Sequence, residues 1–200
     1  MKKLIIGAGV AVLSLALPAA AASDTYRVKG ESASASFSTS DNCSYTGVSI
    51  SGYNNVSRTE PGAPTAQNQA FVSYYTYNYC TDSYSSGSGF SSDVNFNSSS
   101  ALQSASLTGT IPVYDYSTDS TKTLNVNLTW TGTGDLARGR SSYHYHSPGY
   151  TSNSRYTGAY RDAEVSGSIN LDGTNLIANL SNDYAGLNSS TSGGVTITKR

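Results

Sequence analysis

Two segments of this chain alternate apolar and polar residues one position at a time, and this pattern restricts the fold more than any other feature. In 124–130 the even positions are Leu, Val or Trp, and the odd positions are Asn or Thr. In 163–171 the odd positions are Ala, Val, Gly, Ile or Leu, and the even positions are polar. Because side chains of a strand point alternately to opposite faces, each segment predicts a strand with one face in a core and the other in water.

Two neighbouring segments extend the strand pattern. The alternation in 105–113 predicts a strand that ends at Pro112 or lies at a sheet edge there, because proline has no amide hydrogen to donate. After 163–171, Asp172-Gly173 is a typical hairpin turn, and apolar residues at alternate positions of 176–180 predict a returning partner strand.

The alternation changes phase near the amino end of the chain. Tyr26 and Val28 occupy even positions, whereas the apolar residues of 33–37 occupy odd ones. A β-bulge or a bend would shift the phase in this way, and we predict one near Gly30.

Shorter patterns complete an all-β chain. The segment 71–80 is rich in tyrosine, which suits a strand half in and half out of water, and strands are also expected in 45–50 and 195–198. About eight to ten strands without helical periodicity predict an antiparallel β-sandwich, with a small β-barrel as the alternative. An outer-membrane barrel is disfavoured, because the alternating faces hold few large apolar residues.

Three polar segments, 52–68, 81–93 and 187–194, interrupt these patterns. None is long enough to link two domains, and the run of Ser and Gly in 81–93 predicts a flexible loop.

The first residues have the pattern of a secretory signal peptide. Lys2 and Lys3 precede an apolar run, 4–17, which is followed by Pro18 and small residues up to Ala22. The run has about 14 residues, whereas a membrane-spanning helix needs about 20. We therefore expect a signal peptide over 1–22, a single all-β domain over 23–200 with no membrane span, and a secreted or periplasmic location.

The charge of the chain argues against nucleic acid as a partner. Only 12% of the residues are charged, and without Lys2 and Lys3 the acidic side chains outnumber the basic ones by three. So weak and negative a balance provides no long-range attraction to a phosphate backbone.

The two cysteines, Cys43 and Cys80, predict one disulfide. An exported chain meets an oxidising environment, in which a pair of cysteines is expected to be bonded. The bond would close a loop of about 38 residues and stabilise the fold by about 3–4 kcal/mol in the chain-entropy model.

The segment 131–160, which joins the two best predicted strands, holds the candidate functional residues. It is rich in Gly, Ser and Tyr, and a loop of that length is often functional. An additional hairpin that turns at Pro148-Gly149 is the structural alternative. The candidate ligand-binding residues are Arg138, Arg140, Tyr143, His144, Tyr145, His146 and Arg155.

Three interpretations compete for this segment. His144 and His146 would share one face of a strand, but two ligands are too few for a closed zinc site, so neither a metal nor another cofactor is expected. Tyrosine rings and arginine forks suit a glycan or another polar or anionic ligand. In the third interpretation the segment is structural: its arginines pair with Asp135, Asp162 and Glu164, and its tyrosines cover the end of the core. Beyond the segment, Asp162 and Glu164 share a strand face and could act as the carboxylate pair of a hydrolase.

The sequence therefore favours an exported, non-catalytic binding module for a glycan or a small polar ligand. A structural protein of a cell surface or matrix is the alternative, and a hydrolase that uses Asp162 and Glu164 is less favoured.

Overall fold

A computed structural model describes residues 22–198, and all strand pairings in that range are antiparallel. The all-β prediction is confirmed. The only helical element in the described range is a 3₁₀ turn, Ser100–Leu102. The strands are β1 (Ala22–Ser40), β2 (Ser44–Glu60), β3 (Thr65–Asn78), β4 (Ser83–Ser91), β5 (Val94–Ser98), β6 (Ser104–Asp115), β7 (Ser120–Gly132), β8 (Ala137–Ser147), β9 (Tyr150–Leu171), β10 (Thr174–Asn175) and β11 (Ser181–Thr198).

Apart from Ala22, the predicted signal peptide lies outside the described residues. Between residues 22 and 198, no helix has the length and apolar character needed to cross a membrane.

The strand pairings close into an uneven ring. β1, β2, β3, β4, β6, β7, β9 and β11 pair in that order, and β11 pairs again with β1. Of the other strands, β5 adds to β6, while β8 and β10 add to β9. All the strands thus belong to one continuous sheet.

One hydrophobic core fills the ring. Trp130 of β7 is fully buried, and its Nε1 donates a hydrogen bond of 3.1 Å to the backbone oxygen of Ser34 in β1. The other largest fully buried side chains come from β7 and from six more strands: Phe96, Ile50, Leu107, Ile111, Leu124, Leu128, Ile169, Leu187, Val72 and Val113.

Several strands are longer than the core and continue beyond it as a single-layer sheet. We use that name for 22–31 of β1, 53–60 of β2, 65–69 of β3, all of β8, 150–162 of β9 and 189–198 of β11. These six pieces pair in the order β8, β9, β11, β1, β2, β3. No side chain described in these ranges is buried, so the sheet is solvated on both faces.

The single-layer sheet explains the phase change at the amino end. No register shift occurs near Gly30, so the bulge predicted there is wrong; a shift lies instead between Ser36 and Phe37. Ala33 points into the core, while Tyr26 and Val28 lie beyond it on the opposite face. The change of phase marks the place where β1 leaves the core.

The polar segments are strands as well. The segment 52–68 contains the end of β2 and the start of β3, 187–194 lies inside β11, and 81–93 contains β4. The prediction of a flexible loop in 81–93 is therefore wrong. Gly87 of β4 lies under the ring of Tyr74, a residue of β3. A β-carbon at position 87 would come within 2.6 Å of that ring.

Two local predictions have different outcomes. β6 does not end at Pro112 but continues to Asp115; between the parts of β6 that pair with β5 and with β4, Pro112 has no partner on that side, so the alternative of an edge position agrees with the structure. The strand predicted in 176–180 is replaced by successive turns after the two-residue β10. There the side-chain oxygen of Asn175 accepts hydrogen bonds from the amides of Ile169 and Ile177.

The predicted disulfide is present. Cys43, in the turn after β1, is bonded to Cys80, in the turn after β3, across 37 residues of sequence. The bond therefore lies at the end of the molecule opposite to the single-layer sheet, where it fixes two turns beside the core.

An ion pair lies at the margin of the core, between a buried Asp115 and a Lys122 whose side chain is 27% exposed. Asp115 is 3% exposed, and its carboxylate lies 2.7 Å from Nζ of Lys122. This hydrogen bond with Lys122 holds the pKa of Asp115 well below its usual range. Burial, and then the neighbouring Asp115, raise the pKa of Tyr74 to about 12. Within 22–198, Lys122 is the one lysine or arginine that lies outside the single-layer sheet.

Matched truncations test the separation of core and layer. Val126→Ala removes two buried methyl groups of β7 and should lower the free energy of unfolding by about 2 kcal/mol. Val28→Ala removes the same groups from the half-exposed layer and should lower it by less than about 0.7 kcal/mol. Urea unfolding of both variants measures the difference, and equal losses would contradict a core confined to the ring.

Candidate functional site

The segment 131–160 is the hairpin alternative rather than a loop. β8 and β9 are joined by a turn at Pro148-Gly149, as that alternative predicted, and Gly149 has a φ of +80°, which favours glycine. β7 and β8 follow one another along the same edge of β9, and the amide of Thr133 between them donates 2.7 Å to the backbone oxygen of Asp162. β8 is thus an exposed edge strand of the single-layer sheet.

This hairpin divides the candidate residues between two faces. Arg138 and Arg140 of β8 occupy the face that continues the core-facing side of the sheet, together with Arg155 of β9. The two histidines of β8 share that face. Tyr143 and Tyr145 point to the opposite face, so the tyrosines and arginines predicted to act together are separated by the sheet.

The core-facing side of the layer collects almost all the positive charge. Seven of the eight lysine and arginine residues within 22–198 lie in the single-layer sheet, all on this side, which we call the arginine face. They are Arg27, Lys29, Arg58, Arg138, Arg140, Arg155 and Arg161.

The register set in the core places these residues on one face. Ala33 of β1 lies opposite Leu187 of β11, which lies opposite Arg161 of β9; Ala33 and Leu187 are fully buried. Along each strand, every second residue counted from this row toward the single-layer sheet points to the same face as the row does. Lys29 and Arg27 follow Ala33 in this way.

Most of the arginines on this face have no acidic partner. Lys29 pairs with Glu31 at 2.7 Å, and Arg58 pairs with Glu60 at 3.3 Å. In the range 22–198, no salt bridge involves Arg27, Arg138, Arg140, Arg155 or Arg161. The arginine face therefore carries a net positive charge although the chain as a whole does not.

A trough runs along the arginine face over β9 and β11, between the basic side chains of β8 on one side and those of β1 on the other. Its floor, on β9 and β11, carries mostly small side chains, which include Thr157 and Thr191, and Arg155 projects from it. Two cavities, of about 390 and 560 Å³, both reach these two threonines and so form one continuous depression. Arg138 and Arg140 line the smaller cavity, and Arg27 and Arg155 line the larger one.

The opposite side of the layer is a tyrosine face. It carries Tyr26, Tyr53, Tyr143, Tyr145, Tyr150, Tyr156 and Tyr160, and a cavity of about 530 Å³ is lined by Tyr53, Tyr156 and Tyr160. The rings of Tyr156 and Tyr26 lie over Gly158 and Gly194, where added β-carbons would come within 2.9 and 2.7 Å. Tyrosine packed on glycine stabilises a sheet that has no second layer.

The carboxylate pair proposed for a hydrolase does not lie on the arginine face. Asp162 and Glu164 point to the side of β9 that bears Tyr160. The hydroxyl of Tyr160 donates a hydrogen bond to Asp162, which raises the pKa of Tyr160. Asp162 is therefore already engaged by a neighbour on its own strand.

The histidines are bonded within the hairpin. Nδ1 of His144 bonds the side-chain oxygen of Asn153, and Nδ1 of His146 lies 2.8 Å from Oγ1 of Thr151. Among residues 22–198, no group of three His, Cys, Asp or Glu side chains is arranged to hold a metal ion.

Sequence reasoning missed the basic residues outside the hairpin: Arg27, Lys29, Arg58 and Arg161. A usable signal was present, because basic residues two positions apart, as in Arg27-x-Lys29 and Arg138-x-Arg140, point to one face of any strand.

Comparisons with known proteins do not assign the chain. No protein family model matches it, and no curated protein matches it. A solved structure from Nitrosomonas europaea, described as a "putative AttH", shows a distant likeness with a TM-score of 0.38 and 12% identity. The likeness covers 87% of this chain and 52% of the other, so the chain spans about half the length of that protein. A likeness so distant carries no argument.

Repulsion among the unpaired arginines of this face should appear in the salt dependence of stability. Raising NaCl from about 0.01 to about 1 M shortens the Debye length from about 30 to about 3 Å, which screens repulsion across the face and should raise the Tm. The rise should be smaller in the double variant Arg140→Gln/Arg155→Gln, while Tyr145→Gln on the tyrosine face keeps the response of the parent protein. Calorimetry checks this, and an equal rise in all three proteins would exclude repulsion on the arginine face.

Proposed function

We propose that this protein is a non-catalytic binding module that takes an anionic ligand on its arginine face. One observation carries the proposal: the cations of the single-layer sheet all lie on one side, and five of them have no acidic partner in the described range. Uncompensated charge on one face is unfavourable for the free protein, and a bound anion would relieve it.

The residue types favour carboxylate, sulfate or phosphate groups. An arginine guanidinium presents a planar fork of donors that matches two oxygens of such a group, and charge-assisted hydrogen bonds of this kind are the strong ones. The hydroxyls of Thr157 and Thr191 on the floor provide further partners for a polar ligand.

Binding is favoured over catalysis on this face because its carboxylates are occupied. Glu31 and Glu60 are the acidic residues of the arginine face, and each is paired with a neighbouring cation. Neither is positioned as a free general acid or base.

An oxidising compartment fits the disulfide between Cys43 and Cys80, since such bonds persist outside the cytoplasm. Together with the signal-peptide pattern of 1–22, this supports a module that works in the periplasm or outside the cell.

The proposal is tested by calorimetric titration with a sulfated disaccharide and with its unsulfated counterpart. The sulfated sugar should bind and the neutral one should not. Arg140→Gln should weaken binding about tenfold, which corresponds to about 1.4 kcal/mol, with a smaller loss for Arg140→Lys, which keeps the charge but not the fork.

Tyr145→Ala is the matched control, because Tyr145 lies on the same strand but on the opposite face. It should leave binding unchanged. An equal loss in Tyr145→Ala and Arg140→Gln, or equal binding of both sugars, would show that the arginine face is not the site.

A further inference from the structure

We infer that the ligand of the trough is a linear acidic polysaccharide that lies along β9 and β11, parallel to the strands. This inference rests on the proposed function and specifies its ligand. Its basis is the shape of the site, which is extended, open at the surface and lined by separate cations rather than by one focused cluster.

The cations are spaced along the trough. Arg138 lies opposite Ala159 in β9, and Arg155 is four residues further along that strand, which is about 14 Å at the rise of an extended chain. Arg161, at the core end, is about 20 Å from Arg155 by the same measure. One small anion cannot bridge these positions, whereas a chain with an acidic group on successive sugars reaches them in turn.

At the core end of the arginine face, beyond the residues that line the two cavities, Arg161 has an unsatisfied donor. Nε of Arg161 is buried and has no hydrogen-bond partner among the described residues. A buried donor without a partner costs free energy, and an oxygen of a bound chain that reaches this end could accept from the guanidinium.

Walls on both sides favour a chain that runs with the strands. Arg138 and Arg140 stand on β8, while Lys29 and Arg27 stand on β1 beyond the β9–β11 pair. The walls are three strand spacings apart, or about 14 Å. Between them the floor carries mostly threonine, serine, alanine and glycine, with Arg155 as the cation that projects from β9 itself.

The chemistry of the face favours a polysaccharide over a nucleic acid. Single-stranded nucleic acids are held by stacking of bases on aromatic rings as well as by cations. No tyrosine, phenylalanine or tryptophan of the layer lies on the arginine face within 22–198, and the rings of His144 and His146 on that face are bonded within the hairpin. Hydroxyls on the floor suit the hydroxyls and ring oxygens of sugars.

Affinity against chain length tests the inference. Binding of galacturonate oligomers, from monomer to octamer, is measured by titration calorimetry, with the fully methyl-esterified oligomers as neutral controls. Affinity should rise with length until the trough is filled, by at least about a hundredfold from monomer to the longest chain. Sulfated glucan oligomers of the same lengths show whether the acidic group recognised is carboxylate or sulfate.

Two single variants and their combination show whether one chain contacts both positions. With the longest oligomer, Arg138→Gln and Arg155→Gln should each weaken binding about tenfold, and the double variant about a hundredfold. With the monomer, the double variant should lose no more than the worse single variant. Tyr143→Ala, on the tyrosine face, is the control that should bind as the parent does.

The outcomes separate this inference from the proposed function. If monomer and octamer bind equally tightly and Arg140→Gln still weakens both, the face binds an anion but not a polymer, and the inference fails alone. If oligothymidylate binds as tightly as the octamer at equal salt, the polysaccharide assignment is wrong. If no anion binds, both fail.

Discussion

The structure depends on the register that the buried rows of the core impose on strands long enough to leave it. β1, β2, β9 and β11 pass without interruption from the ring into the single-layer sheet. A one-residue slip in a strand exchanges all its inward and outward side chains, so burial of Ala33 and Leu187 fixes the orientation of residues far outside the core. The separation of arginines from tyrosines is a consequence of packing that neither group takes part in.

The ring and the single-layer sheet therefore have different roles in the structure. The ring holds the large apolar side chains and the pair of buried Asp115 with partly exposed Lys122, and the disulfide lies beside it. The layer contributes little burial; backbone pairing and tyrosine rings packed on glycines hold it together. Because no side chain there is needed in a core, both faces are free to carry chemistry. The cost is a row of unpaired arginines, which is a typical compromise of a binding surface.

The sequence predicted strands correctly where one face of the strand is buried, and it contained no signal for strands with neither face buried. Leu128 and Ile169 sit in strict alternation, and the strands around them were predicted with the correct inward positions. The polar end of β2 and the middle of β11 have no apolar alternation, because no core selects it. The change of phase between Val28 and Ala33 was visible but was interpreted as a bulge rather than as an exit from the core. To place the hairpin arginines and Arg27 on one surface, one must know that β11 lies between β9 and β1. That neighbour relation is long-range and has no local signal in the sequence.

The register between β9 and β11 in the layer is the most direct test of this account. Interstrand backbone proton contacts, measured by nuclear Overhauser spectroscopy, should pair Thr157 with Thr191 and Arg155 with Gly193. That pairing places the arginines on the core-facing side. Contacts displaced by one residue, such as Thr157 with Ser192, would turn the arginines of β9 to the tyrosine face and would contradict the account.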